Sequence, residues 1–172
     1  MEFVRPNNKH LASYMAAILE EKRHRPDIEP YYTNPLTVVR RSRNEEAGIN
    51  LKPGRVPSTT IWLVDGDRFI GTTNIRHRLN SFLQSYGGHI GYGVRYSECN
   101  KGYATQLLAK ALEYSRDVLK LDRVLVTCDD DNLASARVIE KNRGILEDKR
   151  VNHLETGTVL TRRYWIDLSE DQ

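Results

Sequence analysis

No stretch of this chain approaches the ~18 consecutive apolar residues that a spanning helix needs, and the opening MEFVRPNNKH has no apolar signal core. A membrane protein and a secreted one are therefore not expected, and the cytoplasm is the default compartment. Cysteine is scarce: Cys99 and Cys128 are the only two, and no metal-ligand spacing joins them to the five histidines. That excludes a disulfide scaffold and leaves no case for a metal, although whether the two cysteines pair is open. Charge of one sign is also modest. The net charge of +3 is spread along the sequence, which favours an anionic ligand but is too weak to argue for nucleic acid. Internal repeats, low-complexity tracts and linkers are absent. With 172 residues, 39% hydrophobic and 28% charged, the chain suits one domain around one core.

Periodicity supplies the elements. Leu11, Tyr14, Met15, Ile18 and Leu19 repeat at helical spacing and predict a helix from about Lys9 to Lys22, ended by Pro26 and Pro30. Asn34-Pro35 reads as an N-cap with proline at the first helical position, opening a shorter helix to about Glu46. Residues 48–58 form a loop broken by Pro53-Gly54 and Pro57. Strands at 59–64 and 68–75 flank Asp65-Gly66-Asp67, a hairpin signal. A helical turn at 80–86 and Gly87-Gly88 lead into a strand at 89–94. The helix opening at Gly102 buries Leu107, Leu108, Ala111 and Leu112. A buried strand at 123–128, a helix from the Asn132 cap to about Lys141, and a hairpin of 145–151 with 158–168 complete the chain. Antiparallel strands followed by a β-α-β-α-β unit predict a single α+β domain.

The most informative stretch is VRYSECNKGYATQLL at 94–108. An apolar strand ends, a polar loop follows, and Gly102-Tyr103-Ala104 opens an amphipathic helix. Unpaired N–H groups at a positive helix end, with small residues at 102 and 104, make a cradle suited to a pyrophosphate.

These segments resemble the GNAT superfamily of acetyl-CoA-dependent N-acetyltransferases. The resemblance rests on GGHIGYGVRYSECNKGYATQLL at 87–108, RVLVTCDDDNLASARVIEKN at 123–142 and RRYWI at 162–166. IRHRLN at 75–80 brings it nearer to a group of bacterial predicted acetyltransferases. The superfamily's Gln/Arg-x-x-Gly-x-Gly/Ala motif falls on Cys99-Asn100-Lys101-Gly102-Tyr103-Ala104. The resemblance implies a mixed, mostly antiparallel sheet flanked by helices, with residues 1–58 on the acceptor side and 59–168 forming the sheet and cofactor core. It implies acetyl-CoA as co-substrate, no metal, and a cofactor site of Tyr92, Gly93, Val94, Cys99, Asn100, Lys101, Gly102, Tyr103, Ala104, Thr105, Asn132 and Ser135. Two positions depart from the pattern. Cysteine stands at 99, removing a side-chain phosphate donor unless Lys101 compensates, and Arg143 stands where a glycine is usual.

Acetyl transfer must polarise the thioester carbonyl, neutralise the amine and stabilise the leaving thiolate. The N–H groups near Gly91 to Gly93 suit the first task. Strand alternation sets His89, Gly91 and Gly93 on one face, where two glycines leave a groove for a thin pantetheine arm. Neutralising a lysine-like amine at pH 7 costs roughly 4–5 kcal/mol, so a base is expected: His89 first, then His77, then Glu98. No tyrosine lies in the stretch 136–141 that would protonate the thiolate in many relatives, and the resemblance points to Ser135 instead. Arg76, His77 and Asp129 are candidate substrate contacts. Asp129-Asp130-Asp131 would also complement the helix start behind it. Tyr103 is expected to pack beside the cofactor loop, and Cys128 belongs to the core. Cys99 is expected to be exposed, open to oxidation or to a mixed disulfide with CoA. The arginines of the closing strand are expected to protect a sheet edge.

The expected activity is acetylation of a primary amine on a small molecule or peptide, by direct attack in a ternary complex. A homodimer is expected from the general frequency of dimers. A CoA-binding protein with weak turnover and an aminoacyl-tRNA acetyltransferase are the alternatives, the second motivated only by a pI near 8.9.

Overall fold

The computed structural model describes residues 1–26 and 34–169. The elements run β1 (Glu2–Val4), α1 (Leu11–His24), α2 (Pro35–Glu46), β2 (Ser58–Asp65), β3 (Arg68–Arg76), α3 (Ser81–Ser85), β4 (Ile90–Val94), α4 (Tyr103–Asp117), β5 (Arg123–Asp129), α5 (Leu133–Lys141), β6 (Ile145–Leu154) and β7 (Gly157–Asp167). Single turns of 3-10 helix at Asn8–His10 and Tyr96–Glu98 precede α1 and follow β4. One seven-stranded sheet has the order β1-β2-β3-β4-β5-β7-β6. Every neighbouring pair is antiparallel except β4 and β5.

Helices cover both faces. Against α4 and α5 lie Ile61, Ile75, Ile90, Val124, Val126 and Tyr164, closed by Leu108 and Ile139 from the helices. Against α1 and α2 lie Trp62, Val64 and Phe69, closed by Tyr14, Ile18 and Val38. The Tyr14 and Trp62 rings stack at 4.7 Å, and Phe69 meets both edge-on. Asn34 caps α2 by accepting the Leu36 N–H, as its sequence implies.

The predicted elements are present, with three adjustments. β1 was not anticipated; three residues are too few for an alternating pattern, yet they pair with Trp62–Val64. The first helix begins as 3-10, its Asn7 cap accepting the His10 N–H. The terminal hairpin is longer than expected, turning at Glu155-Thr156. Of the two prolines expected to end α1, Pro30 lies outside the described residues. No described helix is long and apolar enough to cross a membrane.

Candidate active site

Parallel strands β4 and β5 share one register pair, Ile90 with Val126. β4 stays fastened to β3 along its length and β5 to β7, so beyond that pair the strands part and a gap opens at their C-terminal ends. Where they still meet, Gly88 (φ 59°) is obligatory, because a Cβ there would come within 2.5 Å of the Leu125 carbonyl oxygen. The bonds that tie β4 to β3 use odd positions: the His89 carbonyl accepts from Arg76 and the Arg95 N–H donates to Ile70. By alternation, the main-chain groups of Tyr92 and Val94 turn into the gap.

The turn after β4 delivers the chain to α4. Asn100 (φ 63°) and Gly102 (φ 81°) are left-handed, and Gly102 stands at the N-cap with no side-chain hydrogen bond. The first main-chain bond of the helix runs from the Gln106 N–H to Gly102, leaving the amides of Tyr103, Ala104 and Thr105 ahead of it. α5 is finished differently: the Asn132 side chain accepts the Ser135 N–H at 3.0 Å. Of the two helices that follow the parallel strands, one is capped by its own side chain and the other has a bare, positive end.

Cys99 does not project freely. Its thiol lies over the Val94 and Arg95 carbonyls, and the Arg25 Nη2 donates to its Sγ at 3.2 Å. Arg25 also pairs with Glu21 and lies over the Tyr96 ring. Lys101, the residue expected to compensate at position 99, donates from its Nζ to Glu98 at 2.9 Å. A guanidinium from the end of α1 also stands beside the loop.

The gap has two differently furnished sides. On the α4/α5 side, the Tyr92 hydroxyl donates to both the Oγ and the carbonyl of Ser135, each at 3.3 Å. Burial raises the Tyr92 pKa to about 12, a hydrogen bond with Ser135 opposing it. On the other side, a Cβ added at Gly91 or Gly93 would meet nothing within 4 Å. Register puts Asn74 and Thr60 beside Gly91, and Thr72 and Trp62 beside Gly93, on that open face. Asn74 Oδ1 and Trp62 Nε1 are buried there without a hydrogen-bond partner among the described residues. Asp129 turns to the same side, since its neighbour Cys128 belongs to the opposite core. Burial first and Asp131 second raise the Asp129 pKa, and Asp129 in turn helps burial to raise that of Tyr86.

A family description of the GNAT acetyltransferase domain matches residues 2–144. The chain belongs to the GNAT acetyltransferase family. It is 35% identical over 63 residues to the uncharacterized N-acetyltransferase YnaD of Bacillus subtilis (strain 168), a match covering 35% of this chain and 37% of that protein. Similar folds include a spermidine N-acetyltransferase SpeG mutant from Vibrio cholerae (TM-score 0.68, 16% identity, 99% of this chain and 96% of that one). Another is the microcin C7 self-immunity acetyltransferase MccE in complex with acetyl-CoA and AMP (TM-score 0.73, 14% identity, 96% and 91%).

Other candidate residues of this GNAT chain are committed elsewhere. His89, 6% exposed, accepts the Leu125 N–H through Nδ1 at 2.9 Å, and burial with the nearby Arg76 lowers its pKa to about 4. His77 lies on the opposite face from Arg76, its Nε2 2.9 Å from Thr59 Oγ1 beside Glu46 and Tyr114. Arg76 donates from Nη1 to the Gly87 and Gly88 carbonyls. The buried Glu98 is held by Lys101 and Arg68, which keep its carboxyl below the usual range. Asp130 is committed to Arg162 and Lys149, so the acidic triplet does not act as one. Tyr103 packs beside Leu63, Ile70 and Leu107. Both cysteines are free thiols, with Cys128 buried. Among the described residues no group of three or more His, Cys, Asp or Glu could hold a metal. Two partners escaped the sequence: Arg25, 74 residues from Cys99, and Tyr86, whose place beside Asp129 comes from α3 folding over β5.

Proposed function

We propose that the chain transfers an acetyl group from acetyl-CoA to a primary amine, by direct attack across the gap between β4 and β5. The observation that carries this reading is the single register pair Ile90–Val126, beyond which a gap opens beside the bare N-terminus of α4. The amides of Tyr103 to Thr105 and the Arg25 guanidinium bind the diphosphate. Inward-turned N–H groups of Tyr92 and Val94 hold the pantetheine arm and polarise the thioester carbonyl.

The amine arrives over Gly91 and Gly93. Asn74 Oδ1, buried with no hydrogen-bond partner among the described residues, accepts one of its hydrogens. Its proton passes toward Asp129, whose raised pKa makes it a better acceptor than an ordinary carboxylate. We assign the base to Asp129 and not to His89, whose Nδ1 lone pair already receives the Leu125 N–H. The amine nitrogen then bonds to the carbonyl carbon, the C–S bond breaks, and the thiolate takes a proton from the Tyr92–Ser135 hydroxyl pair.

The test combines calorimetry of CoA binding with thiol release from acetyl-CoA over an amine panel. CoA should bind, and at least one amine should release thiol. Tyr92→Phe with Ser135→Ala should lower kcat roughly 10²-fold while leaving acetyl-CoA affinity within a few-fold, and Asp129→Asn should lower kcat/KM by a similar factor. His89→Gln should keep turnover in the folded fraction. Absence of CoA binding, or full activity in Tyr92→Phe/Ser135→Ala, would overturn the proposal.

A further inference from the structure

A cavity of about 390 Å³ opens where the ends of β2 and β3 meet the 48–57 loop and α3. It adjoins the amine side of the gap, since Ser58 and Arg76 in its wall are register partners two residues along the open face from Thr60 and Asn74. Asn74 sets the direction of approach. Its Nδ2 donates toward β2, to Ser58 Oγ at 3.2 Å and Thr60 Oγ1 at 3.1 Å. The two polar ends of an amide diverge, so the unpartnered Oδ1 turns to the β4 side and the space over Gly91. Tyr86 stands in the cavity wall and reaches toward the same end. The Gly87 N–H beside it donates to Thr127 Oγ1 at 3.0 Å, and Thr127 lies two residues before Asp129 on one face of β5.

Beyond the amine end the wall is largely apolar. Leu51, Val56, Leu83, Phe82 and Tyr86 line it, the last two with ring centroids 5.7 Å apart and nearly edge to face. Phe82 is 55% exposed, an aromatic ring left uncovered on α3 although its neighbour Leu83 is buried. Charge does not set the character of this wall, because each ionised side chain in it is already engaged. Glu45 is paired with Arg41 at 3.0 Å, Arg76 donates from Nη1 to the Gly87 and Gly88 carbonyls, and Arg55 has a partner of its own. A carboxylate or a second ammonium seated here would compete with these contacts, whereas an uncharged body leaves them in place.

From this arrangement we infer that the acetyl acceptor is a primary amine carried by an uncharged aromatic body. Its nitrogen lies over Gly91 against Asn74 Oδ1 and Asp129, and its ring enters the cavity beside Phe82 and Tyr86. An aromatic ring suits the space because it extends an existing edge-to-face pair, and a volume of this size holds a small molecule. The inference rests on the acetyl-transfer reading for its chemistry, but the place of the ring can be tested by binding alone.

The experiment measures binding of phenethylamine, propylamine, spermidine and glutamate by calorimetry to the wild-type protein, alone and saturated with CoA, and follows thiol release from acetyl-CoA for each. Phenethylamine should bind roughly tenfold more tightly than any of the others, because propylamine lacks the ring and the other two bring further charge into the cavity. Phe82→Ala should raise the phenethylamine dissociation constant roughly fivefold and leave that of propylamine, and CoA affinity, unchanged. Leu51→Lys should weaken phenethylamine in the same way, by placing a charge in the cavity from the 48–57 loop. Equal or tighter binding of spermidine or glutamate would overturn the inference, as would phenethylamine affinity unaltered in both variants. So would equal weakening of propylamine and phenethylamine by Phe82→Ala, which would make α3 a brace for the amine end. Failure of CoA to bind, or of every amine to release thiol, defeats the transfer reading instead, and the order of amine affinities in the CoA-free protein still decides where the ring sits.

Discussion

At the scale of the residue, the exchange between positions 25 and 99 is the most consequential. Cysteine at 99 cannot offer a phosphate a charged donor, and the Arg25 guanidinium stands against its sulfur. A charge-assisted hydrogen bond contributes about 1.5–3 kcal/mol, so Arg25→Ala should weaken CoA binding roughly 10- to 150-fold by calorimetry. Binding of pantetheine, which lacks the diphosphate, should be unaltered, and Cys99→Arg in the Arg25→Ala background should recover most of the loss. If pantetheine weakens equally, Arg25 acts by holding α1 in place. The loop itself was legible in the sequence, because Gly102 and the amphipathic run after it lie within a few residues of each other. Arg25 was not, since a contact across 74 residues leaves no local pattern. Arg143 was readable in a different way: it takes the left-handed conformation (φ 64°) expected of a position where the resemblance implies glycine.

At the scale of the element, β4 shows how alternation translates into chemistry. Ile90 and Tyr92 face the packed helices while Gly91 and Gly93 face open space, as period-2 reading of the strand implies. Adding a side chain at Gly93 therefore separates stability from function. Gly93→Val should leave the urea midpoint unchanged or raise it, because valine suits a strand and meets no neighbour. The same variant should lose acetylation by roughly 10²-fold or more, since the groove it fills has to admit both substrates. A variant that unfolds instead would show that the face is packed. Strand and helix types were legible because each carries its own hydrophobic period. The parting of β4 from β5 was not, since it depends on which strands become neighbours. The same applies to His89: a histidine at a strand end reads equally as base or brace, and the Leu125 N–H on its ring makes it a brace.

At the scale of the whole molecule, acid stability reports how the layers are held. Burial, aided by Arg76, keeps His89 neutral down to about pH 4, whereas its unfolded counterpart protonates near 6.5. The unfolded chain therefore binds more protons between those values, and stability should fall as pH drops through that window by on the order of 2–3 kcal/mol. A second loss should follow as pH falls from about 4.5 toward 2. There Glu20, raised by burial but lowered further by hydrogen bonds from Ser97 and Arg95, has its pKa held at about 2 and clasps α1 to the turn after β4. Urea midpoints from pH 7 to pH 2 should show both slopes, and His89→Gln should flatten only the upper one. Single-domain α+β architecture was legible from the order of periodic segments. The lining of the cavity between the 48–57 loop, β3 and α3 was not, because Arg55, Arg76 and Tyr86 come from separate segments and meet only after folding.

The Ile90–Val126 pair, with the bonds of Gly87 and His89 to β5 beside it, also makes the sheet two ribbons joined along one short seam. A ligand seated along it would act as thread, so amide exchange on either side should slow together when CoA is added. On the acetyl-transfer reading, the seam would then draw part of its rigidity from the coenzyme laid along it.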